Sequence, residues 1–409
     1  MKILFLTQVL PYPLDAGPKV RAYYVLRHLT KQHRVTLIAF VRPTDTPEAI
    51  RHLAEFCQAV HPVPMARSKA RDGYHLLRSL ATGQPFLIAR DWRGVMATQL
   101  RAHVQAAEAA GAPYDAIHAD QLWMAPYALL AQGWQASQQP MTVLDQHNAV
   151  FMIPERLADE DASLGKRLLL RLEASKLARY EATICRRFDH VVWVTQEDYQ
   201  AVQRSAQQRG HVVPCTGVIP ICGDSRQQPP IVRQIKPHRV TFVGGLHYPP
   251  NAQGICWFAE QVFPQVLRHA PQAVLTVIGK APPPALHALG IPAEKLEVTG
   301  FLDNVEPYLA ETAAFIVPLL AGGGMRVKII DGWRWGMPVV STTIGAEGIA
   351  TCPGQNILIA DRPAELAAQI GKLIQQPTVA DGLATAGRQW FEAHYDWRTI
   401  YQQWDRIYL

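Results

Sequence analysis

The sequence predicts an α/β protein of two domains, each a parallel sheet covered by helices. Three observations predict it. The chain has 409 residues, long for one hydrophobic core and suited to two domains of about 200 residues each. Short apolar runs alternate with helical patterns along most of its length, which is the rhythm of β/α units. That rhythm breaks in a stretch rich in Gly, Pro, Gln and Ser, which reads as a linker over residues 216–238. The expected domains are 1–215 and 239–388, with a terminal helical segment over 389–409.

The elements follow in order. Residues 2–7 form an apolar first strand. The run is too short for a signal peptide, and Gln8, Pro11 and Asp15 follow at once. A helix over 20–31 carries Val25, Leu26 and Leu29 on one face. A strand over 35–40, a helix over 48–57 and a short strand over 59–62 come next. Helices over 67–83 and 93–110 flank a loop at 85–91. Strands over 116–119 and 142–145 are each bounded by polar residues. A long helix over 163–187 leads to a strand over 190–195, and Thr195 has the position of an N-cap for another helix. A strand over 212–214 precedes the linker.

The second domain opens with a strand over 239–243. Further strands are expected at 274–278, 296–299, 314–317, 339–341 and 357–359, with helices between them. Residues 379–408 read as one helical tail. Its aromatics, Trp390, Phe391, Tyr395, Trp397, Tyr401, Trp404 and Tyr408, need a surface to cover.

Bulk properties exclude several classes. Hydrophobic content of 48% is that of an ordinary globular protein. No apolar run approaches the ~20 residues that a spanning helix needs. Six cysteines without a C-x-x-C pair suit a reducing compartment, so a cytoplasmic location is expected. A net charge of +6 is mild, and no zinc-finger, RRM or basic-aromatic pattern accompanies it, so no nucleic-acid partner is expected. The helix over 163–187 sets Lys166, Arg167, Arg171, Lys176, Arg179, Arg186 and Arg187 among leucines. It reads either as a surface for the inner face of an anionic membrane or as a core helix with a wet basic face.

The richest stretch runs from Gly322-Gly323-Gly324 through Arg326, Lys328 and Asp331 to Gly336-Met337-Pro338-Val339-Val340. A glycine run opening a helix presents unpaired N–H groups and the helix dipole to one point, an anion-binding arrangement. Arg326 and Lys328 add positive charge. Asp331, further into the helix, can face a ribose hydroxyl of the same ligand.

This stretch resembles the donor site of the group 1 (GT4-like) branch of the GT-B glycosyltransferases. Three more segments resemble that family in its order: Val243-Gly244-Gly245-Leu246-His247 as the glycine loop opening the second domain, Val298-Thr299-Gly300-Phe301-Leu302-Asp303-Asn304 as a strand end, and Asp145-Gln146-His147-Asn148 as the histidine loop of the first domain. The resemblance covers nearly the whole chain. It implies a GT-B fold: two Rossmann-like β/α/β domains facing a central cleft, with the C-terminal helix returning to the first domain. It also implies a retaining transfer of sugar from a nucleoside diphosphate sugar to an acceptor hydroxyl. The acceptor would be a glycan or a lipid-linked glycan, with no cofactor beyond the sugar nucleotide. No Asp-x-Asp pair lies in a suitable strand-end loop, so no metal is expected.

The candidate residues follow from the residues and the resemblance together. Ala16-Gly17 stands where relatives carry Gly-Gly, so Gly17 either approaches the donor or makes a tight turn. His147 is assigned a contact with the transferred sugar, not a role as base. His118 is left as a structural residue or an acceptor contact. Where many relatives have a phosphate-binding Arg, this chain has Gly245, and Arg326 and Lys328 are the natural replacements. The family's first donor-helix glutamate falls at Gly323 and is absent, and the second is Asp331, which can instead pair with Arg334 at i+3. Glu347 is the candidate for the missing carboxylate. Gly244, Gly245, Gly323 and Gly324 complete the donor set. The departures from the family pattern keep a second reading open, a non-catalytic sugar-nucleotide or glycan-binding protein on the same fold. A dehydrogenase is excluded, since no G-x-G-x-x-G follows the first strand.

Overall fold

The structure is a computed structural model and describes every residue except 67, 161–162, 228, 235–237 and 323. The chain divides into two compact units: Met1–Ile221 with Ile400–Leu409, and Cys222–Thr399.

The first unit holds a seven-stranded parallel sheet. Its strands are β1 (Lys2–Thr7), β2 (Arg34–Val41), β3 (Ala59–Pro64), β4 (Ala116–Asp120), β5 (Met141–Gln146), β6 (His190–Trp193) and β7 (Gly217–Val218). The spatial order is β3-β2-β1-β4-β5-β6-β7. The central strands are apolar runs buried along their length, as a sheet covered on both faces requires. Helices such as Gly94–Ala109 and Leu164–Cys185 lay Leu100, Val104, Leu177 and Cys185 into that core.

The second unit repeats the plan with six parallel strands: β8 (Arg239–Val243), β9 (Val274–Ile278), β10 (Leu296–Gly300), β11 (Thr312–Val317), β12 (Val339–Ser341) and β13 (Leu358–Ile359). Their order is β10-β9-β8-β11-β12-β13. In both units the order reverses beside the first strand, which in doubly wound sheets marks the ligand-binding edge at the strands' carboxyl ends.

Three expectations are corrected. Residues 212–214 are not a strand. Pro214 uses its carbonyl to accept from Trp193 Nε1 at 3.1 Å, and sheet pairing resumes at Gly217, inside the expected linker. Described residues further along that stretch are also anchored: Ile231 N donates to Trp335 O at 2.9 Å and Gln234 N to Ala310 O at 2.7 Å. The tail is not one helix. Helix Pro377–His394 ends at Tyr395, Trp397–Ile400 is a short second helix, and Tyr401–Arg406 is a 3₁₀ turn. Asp396 sets this break, accepting from Ser225 N at 2.9 Å and Arg398 N at 2.8 Å. As a result Trp390, Phe391, Tyr395 and Trp397 belong to the second unit, and Tyr401, Trp404 and Tyr408 to the first.

Candidate functional site

In the second unit the carboxyl ends of the strands are laced together by backbone. Gly244 N donates to Ile278 O at 2.9 Å, and Gly279 N to Gly300 O at 2.7 Å. This lacing needs glycine. A Cβ on Gly279 would lie 1.9 Å from Gly244 O, and one on Gly244 would lie 2.6 Å from Lys328 Cε. Gly245 follows, its carbonyl held by Asn251 Nδ2 at 2.7 Å. The loop after β8 therefore lies directly against the Lys328 side chain.

Lys328 comes from the helix Val327–Arg334, which the glycine run opens. Gly322 and Gly324 have φ of +126° and +72°, a region closed to most side chains. Gly323 lies outside the described residues. Arg326, buried, fastens this loop: Nη1 donates to Gly324 O at 2.8 Å, Nε to Ile344 O at 3.3 Å and Nη2 to Glu347 Oε2 at 3.2 Å. Burial pushes the Lys328 ammonium down to about 8, with Arg326 adding to the shift and Asp331 opposing it. Among the described residues Lys328 Nζ makes no hydrogen bond or ion pair; it lies over the Phe242 ring, 5.8 Å from the centroid. Asp331 pairs with Arg334 at 3.4 Å. Burial raises its carboxyl above the usual range, against Arg334 and Lys328. Gly244, Gly245, Gly324, Arg326, Lys328, Asp331 and Glu347 thus share the carboxyl edge of one sheet. They set two cationic side chains, Arg326 and Lys328, beside the glycine loops, with the Glu347 carboxylate committed to Arg326.

The first unit has a buried polar cluster at the same edge of its own sheet. Parallel register sets Thr7, Asp120 and Asp145 side by side, and Phe5 beside His118. Residues in register point to one face, and the Phe5 and His118 rings stack at 4.1 Å. Arg21, on the helix Gly17–Leu29, grips Asp145 with two bonds of 2.8 and 2.9 Å, and its Nη1 donates to Ile219 O and Pro220 O, each at 2.7 Å. Burial opposes the Asp145 charge, but Arg21 and His147 outweigh it and hold its carboxyl below the usual range. His147 Nε2 lies 2.9 Å from Asp120 Oδ1. Its Nδ1 has no hydrogen-bond partner among the described residues, and burial holds the Asp120 carboxyl above its usual range. His118 Nδ1 sits 2.6 Å from the Tyr408 hydroxyl, and burial pushes the imidazole down to about 3. It is a neutral structural histidine. Gly17 opens its helix at the N-terminal end of this region.

His118, Asp120 and Asp145 each place a ligand atom within 4.8 Å of the others. The bidentate Arg21 guanidinium on Asp145 puts a fixed positive charge where a cation would sit, so the donor set fits a metal poorly.

Sequence reasoning missed four residues here. Arg21 and Asp120 had no motif to reveal them. Glu181 is buried on the helix Leu164–Cys185 and accepts from Val150 N at 2.8 Å, Phe151 N at 2.9 Å and Gln146 Nε2 at 2.8 Å. It pins the chain just after His147. Burial pushes its carboxyl up to about 8, opposed by those N–H groups. Gln121 has φ +73° and ψ +158°, a region nearly reserved for glycine and costly for other residues. Its N–H is held by Asp145 O at 2.9 Å.

Comparison with known proteins bears on both units. The chain superposes on HepE of Anabaena, solved in complex with UDP, with a TM-score of 0.65 over 100% of this chain and 99% of that one, at 16% identity. It superposes on WaaG, a glycosyltransferase involved in lipopolysaccharide biosynthesis, with a TM-score of 0.64 over 99% of each chain, at 12% identity. The fold is GT-B. Residues 237–376, which include all six strands of the second sheet, match the family model described as Glycosyl transferases group 1. A curated relative, an uncharacterized 44.6 kDa protein in the cps region of Klebsiella pneumoniae, is 35% identical over 135 residues. That match spans 30% of this GT-B chain and about a third (33%) of the relative's length.

Proposed function

We propose that this chain is a retaining hexosyltransferase. It moves a sugar from a nucleoside diphosphate sugar to a hydroxyl of a glycan or lipid-linked glycan, in cytoplasmic polysaccharide or glycoconjugate synthesis. The observation that carries the reading is the pair Arg326 and Lys328, set at the glycine loops inside the stretch that matches the glycosyltransferase family model. The cps-region relative and the UDP and UDP-glucose complexes of HepE support it. They make uridine the first base to test.

In this reading the chemical demand is negative charge on the departing diphosphate. Arg326, buried and held by Gly324, Ile344 and Glu347, keeps a guanidinium fixed beside the loop, and its share of the phosphate charge depends on competition with Glu347. Lys328 is desolvated, which strengthens its pull on phosphate oxygens. The N–H groups of the glycine run add neutral donors. Asp331 is assigned to ribose hydroxyls. His147, its Nε2 held by Asp120, offers Nδ1 to a sugar hydroxyl and does not act as base. The departing phosphate takes the acceptor proton, as the resemblance implies.

Calorimetry with UDP, GDP, ADP and TDP tests the donor site. One base is expected to bind, and Arg326→Ala or Lys328→Ala should weaken it by about 1.5–3 kcal/mol, the range for hydrogen bonds to charged groups. Unchanged affinity in both variants would remove the site. Sugar transfer should also persist in EDTA; loss of turnover that a divalent cation restores would overturn the metal-free account.

A further inference from the structure

The helix Leu164–Cys185 packs only its second half into the core of the first unit, through Leu177, Ala178, Ala182 and Ile184. Its first half leaves large apolar side chains in solvent. Leu164 is 78% and Leu168 72% exposed, and Leu169 and Leu172 are exposed as well. Leu164, Leu168 and Leu172 are spaced by four and share one face. Residues 164–172 also carry Lys166, Arg167 and Arg171, of which Arg171 pairs with Asp159 of the neighbouring helix Met152–Glu160 at 3.3 Å.

A second helix, Lys69–Thr82, joins it through Lys176 Nζ, which donates to Ser79 O at 2.6 Å. That helix buries His75 and Ser79 and leaves Tyr74 60% and Leu77 70% exposed, alongside Lys69, Arg71 and Arg78. Two joined helices thus expose apolar stripes flanked by cations. Solvent disfavours the first feature, and an anionic apolar boundary satisfies both. No helix among the described residues is long and apolar enough to cross a membrane, so such a surface would lie on the bilayer, not span it.

We propose that this pair of helices is a docking surface for an anionic lipid bilayer, with the leucines and Tyr74 at the headgroup–acyl boundary and the Lys and Arg side chains on lipid phosphates. The inference stands apart from the transfer reading, since it uses none of the donor-site residues.

Flotation of the full chain tests it, with vesicles of phosphatidylglycerol and phosphatidylcholine against phosphatidylcholine alone. The protein should float with the anionic vesicles, much less with the neutral ones, and lose most binding at about 1 M salt, where the Debye length is about 3 Å. Leu77→Ser should reduce partitioning roughly tenfold, and the pair Leu164→Ser/Leu168→Ser roughly a hundredfold, the effect of leaving one or two leucines unburied. These side chains are exposed, so unchanged melting temperatures and unchanged nucleotide binding should accompany the loss. No flotation with anionic vesicles, or flotation that all these changes leave intact, overturns the proposal. A dimer that Leu164→Ser/Leu168→Ser dissociates, without flotation, would assign the face to a second copy and overturn it too.

Discussion

Lys328 holds its charge in a setting that disfavours it, and this has a measurable pH signature. Its ammonium titrates near 8, pushed down chiefly by burial. Diphosphate affinity should be highest while the group is charged and decline as pH rises through about 8. Lys328→Arg stays charged there and should flatten that decline. Affinity in the wild type that is constant up to about pH 9 would detach Lys328 from the phosphates. The same shift has a stability consequence of opposite sense. The folded pKa lies below the ordinary 10.5, so between about 8 and 10.5 the unfolded chain binds the extra proton. The folded state therefore carries a penalty below pH 8 that is relieved as pH climbs. Lys328→Met should weaken nucleotide binding as Lys328→Ala does and still raise the melting temperature near neutral pH. About 1 kcal/mol gained would appear as roughly 2–4 °C.

Among the elements, those spelled out by local pattern were the most legible. Apart from β7, which lies in the stretch expected as a linker, the strands of both sheets were evident as short apolar runs. The Thr195 cap is present, its side chain accepting from Asp198 N, because an N-cap is a local device with a local signature. The glycine loops were legible for the same reason: Gly322 and Gly324 need positive φ, and Gly244 needs space beside Lys328. Contacts between distant residues were not legible. Arg21 reaches Asp145 across 124 positions and Gln8 reaches Asp91 across 83, and no spacing rule announces such pairs. Glu181 belongs with them, since its role is to bind the N–H groups of Val150 and Phe151 where the histidine loop enters the helix Met152–Glu160. Glu181→Gln should cost about 1–3 kcal/mol, because the amide turns an NH₂ toward N–H groups that need an acceptor. The melting temperature checks the cost. Hydrogen exchange should show the faster opening at Val150 and Phe151 that distinguishes loss of this clamp from general weakening.

At the scale of the whole molecule, the aromatic tail was expected to need a surface, and the structure shows two surfaces sharing it. Trp390, Phe391, Tyr395 and Trp397 are built into the second unit. Tyr401, Trp404 and Tyr408 are built into the first, where Arg21 lies 5.3 and 5.2 Å from the Tyr401 and Trp404 ring centroids. Asp405 receives His28 at 2.7 Å and Tyr408 meets His118 at 2.6 Å. These last residues cover the face of the sheet that carries Phe5, His118, Asp120 and Asp145. Deleting residues 400–409 removes three fully buried aromatics, each worth about 1.5–3 kcal/mol of burial. It also opens the Arg21–Asp145 pair to water. A loss of that size approaches the whole 5–15 kcal/mol stability of an ordinary domain. In calorimetry the truncated chain should therefore lose the transition of the first unit or show it far lower. The transition of the second unit should remain and still rise with added nucleoside diphosphate, since Gly244, Arg326 and Lys328 all lie within residues 222–399. If both transitions fall together, the tail stabilises the two units as one cooperative body, and the donor site depends on the first unit as much as on its own sheet.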